Sequence, residues 1–274
     1  MLISCASIIT HKNPNEHTST PTLTTPMSEI ITTVVTTPPW STQTGNHVVN
    51  SHSGYVMTNI YEKTLTDKDD NTLISAKILS PEVHFYDNES LQLTVNSNLL
   101  TIFHEIENKV NTICSRYSGS DPSSFLSTPH VFVDYSLEYF TKEAMSIRFQ
   151  INETDSNANT YTSFICYNLD LTTGSVINCA SLFKNSDLSA VSDRISQKLK
   201  DNGYPLYADS SRLIKQFLQN RWFISFEKLN LCFNPGEIAA VSEGAIEIYL
   251  DFNDISDLLS QYGSALFTVN YENN

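Results

Sequence analysis

The chain is short of charge, shorter still of bases, and lacks the residue groupings that catalysis needs. Only 17% of its 274 residues are charged, and 30 acids against 16 Lys and Arg give a formal net charge of −14. Nucleic-acid backbones are bound by clustered cations that displace counterions. The few bases here form no stripe and have no interleaved aromatics, so nucleic acid is excluded as the expected partner. An acidic surface would steer a cationic partner inward, or serve solubility alone. No apolar run approaches the roughly 20 residues that span a bilayer. The 8 glycines stand singly, so no glycine-rich loop is present to cradle a phosphate. There is no G-x-S-x-G elbow, no Ser-x-x-Lys opening a helix and no pair of His at ligand spacing. His104-Glu105 begins like a zinc-protease motif, but its fifth position is Asn108. The sequence therefore reads as non-enzymatic, with no cofactor and no metal. The carboxylates of Glu237, Glu243 and Asp251 read as a solvent-facing rim.

Cysteine is present at five positions, Cys5, Cys114, Cys166, Cys179 and Cys232, without any C-x-x-C spacing. That weakens zinc and thioredoxin-like readings and leaves small apolar core residues. Cys166 and Cys179 flank a hairpin, and are candidates for a bridge in an oxidising compartment.

Met1-Leu2-Ile3-Ser4-Cys5 resembles a bacterial lipobox, which makes Cys5 a candidate lipidation site and implies that the sequence starts inside a signal peptide. From Thr18 to Asn46, 11 of 29 residues are Thr, four are Pro and none is Lys or Arg. Such a segment buries too little apolar surface to offset the entropy of ordering, so it reads as a flexible spacer behind an anchor. The folded part is expected to start near Ser53. Tyr55 to Thr66 and Thr72 to Tyr86 read as strands joined by Asp67-Lys68-Asp69-Asp70-Asn71. That turn lacks the glycine and the final acid of a calcium loop, with Thr72 and Ile78 in their places. Ser97 to Tyr117 carries Leu99, Ile102, Phe103, Ile106, Val110 and Ile113 at helical spacing. A second hairpin is expected from His130 to Phe140 and Ala144 to Ile151. Helices follow around Leu188 to Leu199, closed by Asn202-Gly203, and over Ser210 to Gln219.

The most informative stretch is Arg221 to Phe252. Trp222 to Glu227 and Leu229 to Phe233 read as a hairpin, Asn234-Pro235-Gly236 as a turn, and Ala245 to Phe252 as a half-buried strand. A short helix is expected past Asn253, and a strand beyond Leu266. Phe233-Asn234-Pro235, Glu237-Ile238-Ala239 and Gly244 match the pattern of the RsiV-like C-terminal domain family. Upstream, Tyr167 to Gly174 and Ser181-Leu182-Phe183 are similar to the same family's strand, Thr-Gly turn and entry to a helix. Gly236, Ala240 and Val241 replace residues that are usually Tyr, Pro and Tyr, and 157–163 lacks the family's Gly-Ala-His. Residues 53 to 151 are similar in element order to the small domain that precedes this one in RsiV-type proteins and in a peptidoglycan deacetylase.

The resemblance implies an α+β fold, antiparallel sheets with helices packed on a face, in two small modules over 50–160 and 161–274 behind the 1–49 start and linker. It also implies a non-catalytic, extracytoplasmic lipoprotein. Its partner would be a secreted or cell-surface protein, lysozyme-like in the family's case, or a cell-wall glycan as for the module beside a deacetylase. Membrane contact would come only through the lipid on Cys5. The binding residues so implied are Asn234, Pro235, Gly236, Glu237, Ala239, Glu243 and Gly244. For a glycan, Trp222 or Tyr249 would have to be exposed stacking rings rather than core.

Overall fold

The computed structural model describes residues 41–51, 54–225 and 227–267, the first of these as backbone only. Cys5 and the spacer as far as Trp40 lie outside the described residues, as does the strand expected beyond Leu266, apart from Phe267. Among the described residues, two sheets and five α-helices make up an α+β fold, as the resemblance implied.

The first sheet has seven strands in chain order: β1 (Ser41–Ser51), β2 (Gly54–Thr66), β3 (Thr72–Phe85), β4 (His130–Phe140), β5 (Ala144–Thr154), β6 (Thr160–Asp170) and β7 (Ser175–Val176). All neighbours are antiparallel except β3 and β4, which run parallel because helix α1 (Glu89–Ser115) crosses between them. The ladder of β5 with β6 is unbroken from Ala144↔Asp170 to Thr154↔Thr160, and so runs across the boundary expected at 160/161. β1 pairs with β2 from Ser41↔Glu62 to Ser51↔Gly54, so regular structure begins before Ser53 and inside the Thr-rich segment. An edge strand is held by backbone bonds, which a polar composition neither advertises nor prevents.

Helix α1 starts eight residues before the expected Ser97. Its first two turns, Glu89 to Asn96, are rich in polar residues and hide the periodicity. Leu91, Val95 and Leu99 nevertheless continue the stripe at intervals of four, and Asn88 caps the helix by accepting the Leu91 N–H at 3.0 Å. The buried stripe, Val95 to Ile113, packs on Met145, Ile147, Phe149 and Ile151, the odd-numbered face of β5.

The second sheet, in the order β10 (Ile246–Asp251), β9 (Lys228–Phe233), β8 (Trp222–Ser225), lies against the opposite face of β5 and β6. Its other face carries Trp222, Ile224, Leu229, Leu231, Phe233 and Ile248 into a core shared with α2 (Ser189–Asp201) and α3 (Ser210–Phe217). Two short helices, α4 (Phe252–Ile255) and α5 (Gln261–Phe267), close that core. Trp222 is 1% exposed, which removes it as a stacking ring. Tyr249 is exposed, but the ammonium groups of Lys198 and Lys228 lie 4.5 and 4.2 Å from its ring centroid and engage its π face.

Two polar devices join the sheets. Ser146 donates to Asn168 Oδ1 at 2.6 Å, Asn168 Nδ2 donates to the Trp222 carbonyl at 2.9 Å, and the Ile224 N–H donates to Ser146 Oγ at 3.1 Å. The free edge of β8 is thus satisfied by side chains instead of a further strand, as buried backbone groups require. Asn168→Ala should cost about 2 kcal/mol in urea unfolding, because it orphans the Trp222 carbonyl. A loss below about 0.5 kcal/mol would mean that the edge is satisfied some other way. The second device is Arg148, whose guanidinium lies 5.4 Å from the ring centroid of Phe164 and 5.3 Å from that of Phe223. It pairs with Glu138 of β4 at 2.9 Å and Glu247 of β10 at 2.7 Å, tying one sheet to the other.

Candidate functional site

The turn after β9 is built around one carboxylate. Pro235 offers no N–H and Gly236 has φ +83°, so the ladder stops at Phe233 and the chain reverses. Glu237 then folds back. Its Oε2 accepts the Asn234 N–H at 2.8 Å, and its Oε1 accepts Asn234 Nδ2 at 3.2 Å and Arg221 Nη2 at 2.7 Å. The side chains of Arg221 and Glu237 are 12% and 14% exposed, so this ion pair works in a largely dry setting. Asn234 Oδ1 in turn accepts the Phe164 N–H of β6 at 2.6 Å, pinning the turn to the first sheet.

The residues singled out in the sequence divide accordingly. Asn234 and Pro235 line a cleft, whereas Glu237 braces Asn234 from behind. Ala239 is buried beside Ile238 and bridges to Leu206. Gly244, at φ +70°, ends the single helical turn Val241–Glu243 through its N–H to the Val241 carbonyl, and Glu243 is exposed on that turn. A Cβ on Gly236 would lie 3.0 Å from Val241 Cγ2. Positions 236 and 241 are therefore neighbours across the turn.

The cleft encloses about 430 Å³. One wall is the end of α1, with Lys109, Thr112, Ile113 and Arg116; another is Ile151 and Glu153 of β5 with Tyr161, Thr162 and Ser163 of β6. Asn234, Pro235 and Val241 form the third. Ile113 and Ile151 are buried and give an apolar floor, whereas Val241 is 67% and Tyr161 52% exposed on the walls. Arg116 is neutralised by Glu153 at 2.9 Å. Lys109 is half-buried and donates to Ser163 Oγ at 3.0 Å, and among the described residues no carboxylate lies within ion-pair distance of it. Burial lowers its pKa first and the charge of Arg221 second, with Glu237 and Glu153 acting the other way. A partly desolvated, unpaired cation marks a place that favours an anionic ligand group.

Tyr161 is held in place by the hairpin before β6. Asp155 accepts the N–H groups of Asn157 at 2.8 Å and Asn159 at 2.9 Å, and also the Tyr161 hydroxyl at 3.2 Å. The Asn159 side chain and those N–H groups hold the Asp155 carboxyl below its usual range, while the Asp155 charge raises the Tyr161 hydroxyl. The Lys109–Ser163 contact has the composition of a Ser–Lys pair. The donors at that corner are already engaged: the Phe164 N–H bonds Asn234, and the Asn234 amide bonds Glu237.

The cations and polar residues of this cleft were not apparent in the sequence. Lys109 and Thr112 of α1 and Arg116 at its C-cap recur at i, i+3 and i+7, flanking the apolar stripe. That pattern was a usable signal, but it names no partner segment.

Among the described residues, no group of His, Cys, Asp or Glu is arranged to hold a metal ion, and no helix is long and apolar enough to cross a membrane. No protein-family model and no curated protein sequence matches the chain. Solved structures similar to it include two DUF3298 family proteins. One is from Bacteroides fragilis, 12% identical, with 82% of this chain and 95% of that chain covered at a TM-score of 0.49. The other is from Pseudomonas aeruginosa PAO1, 12% identical, with 82% of this chain and 96% of that chain covered at a TM-score of 0.46.

Proposed function

We propose that this chain is a non-catalytic recognition domain working outside the cytoplasm, and that its ligand is a secreted or cell-surface protein that seats a segment in the cleft between α1, β6 and the Asn234 turn. One observation carries the reading. The two segments where the chain departs from the RsiV-like pattern, 157–163 and Gly236 to Val241, meet at this cleft although about 75 residues separate them. A surface rebuilt from both sides at once is where a change of ligand would be written. Its composition suits a protein partner: an exposed Tyr and an Arg are favoured anchors, and Val241 and Pro235 add apolar area at the walls. The net charge of −14 would speed the approach of a cationic protein such as a lysozyme-like hydrolase, with Lys109 left to take an acidic group of that partner.

A glycan remains the second reading, favoured by the Tyr161 ring beside the hydroxyls of Thr162 and Ser163 and the Asn234 amide. Calorimetric titration of the full chain with a C-type lysozyme, at low and physiological salt, separates the two. The protein reading predicts saturable 1:1 heat at both salts, weakened about 10- to 100-fold by Tyr161→Ala and by Lys109→Met. Heat that vanishes at physiological salt, with retention on purified peptidoglycan lost in Tyr161→Ala, would replace it by the glycan reading.

A further inference from the structure

We propose that Cys166 and Cys232 close into a disulfide when the chain folds in an oxidising compartment, and that this bond locks one wall of the ligand cleft. The two Sγ atoms lie 3.1 Å apart, about 1 Å beyond the bonded distance of about 2.05 Å. Their backbones are already fixed side by side: the Cys166 N–H donates to the Asn220 carbonyl at 3.1 Å and the Cys232 N–H to the Arg221 carbonyl at 2.9 Å. Consecutive carbonyls entering β8 thus hold β6 and β9 in register. The 3.1 Å approach already places the two thiols in contact. The pairing considered from the sequence, Cys166 with Cys179, is not the one the fold places in contact. Cys179 is buried in the core of α2 and α3, whereas Cys166 and Cys232 share a small cluster with Phe164 and Phe223 between the sheets.

The reaction is thiol–disulfide exchange with a small or protein disulfide oxidant, named here as glutathione disulfide. One cysteine thiolate attacks the oxidant and releases one glutathione thiol. The second thiolate then attacks the mixed disulfide, forming the Cys166–Cys232 bond and releasing the other thiol. Two electrons pass to the oxidant and the two cysteine protons end on its thiols. Burial, and then contact with Cys232, push the Cys166 thiol well above its ordinary pKa, so the thiolate is scarce once the sheets have docked. Oxidation therefore belongs to folding, and the finished bond is shielded from reductants. Its consequence lies two residues away on each strand: Phe164 and Asn234, whose 2.6 Å bond forms a corner of the cleft, flank Cys166 and Cys232. With the bond closed, the Asn234 turn cannot part from β6.

The test is to refold the full chain in a glutathione redox buffer, alkylate under denaturing conditions, digest without reduction and map the peptides by mass spectrometry. The expected result is a crosslinked pair carrying Cys166 and Cys232, with Cys5, Cys114 and Cys179 alkylated. Alkylation of all five, or a crosslink joining Cys166 to any other cysteine, overturns the proposal. The same sequence, oxidised and reduced, gives a second reading free of substitution effects. The bond closes a span of 66 residues, so the oxidised form should melt about 10 °C higher. Equal melting temperatures would contradict the lock.

Discussion

Trp222→Ala is expected to lower the free energy of unfolding by about 3–5 kcal/mol, measured as the shift in urea midpoint at constant slope. The indole is among the largest fully buried side chains and lies in the core with Ile224, Leu229, Leu231 and Phe233. Its removal takes away that apolar area and also leaves a cavity where the helices and the second sheet meet, which partial collapse cannot fill. Its carbonyl is the acceptor for Asn168, so any shift of β8 also disturbs the contact between sheets. A loss under about 1 kcal/mol would place the ring outside the core and reopen its reading as a sugar platform. Ligand affinity per folded molecule should be unchanged, because Trp222 does not line the cleft.

The second large effect is expected at Glu237. Glu237→Ala should cost about 3–5 kcal/mol, since it leaves the Arg221 guanidinium largely buried without its carboxylate and strips the Asn234 N–H of its acceptor. Arg221→Ala in the same background should add little, because the unpaired charge is then gone. The cycle is informative in that direction: strict additivity of the two substitutions would show that the pair is not coupled. Unlike Trp222, this pair braces the cleft, so Glu237→Ala should also weaken ligand binding in molecules that remain folded.

These two sites show what the sequence could and could not reveal. The patterns of Trp222 to Glu227 and Leu229 to Phe233 marked the hairpin, and the observed register Trp222↔Leu231 lies within those two segments. Asn234-Pro235-Gly236 announced a turn because proline removes a donor and Gly236 takes a positive φ. Period and turn chemistry are local, so they survive in a one-dimensional reading. The role of Glu237 did not, because its partner Arg221 lies 16 positions back, at the entry to β8. A carboxylate that reads as rim is instead the centre of a buried network.

The same limit applies more strongly to the cleft. Lys109 meets Ser163 across 54 positions, Phe164 meets Asn234 across 70, and Cys166 meets Cys232 across 66. None of these pairings follows from spacing. They arise because β6 is shared: one face packs on α1 while the other receives the second sheet, so its first residues lie next to both. Helix α1 was legible where its stripe is apolar and not where polar residues open it. β1 was illegible for the converse reason, since backbone pairing carries no side-chain signature.

The proposed seat of the ligand is the cleft between α1, β6 and the Asn234 turn. Hydrogen exchange of the full chain, with and without saturating C-type lysozyme or soluble peptidoglycan fragments, tests it most directly. Ligand-induced slowing is expected to be confined to the amides of 109–116, 161–164 and 234–244, whichever of the two ligands binds. Slowing concentrated on β2 and β3, or on α2 and α3, with those three segments unchanged, would contradict it.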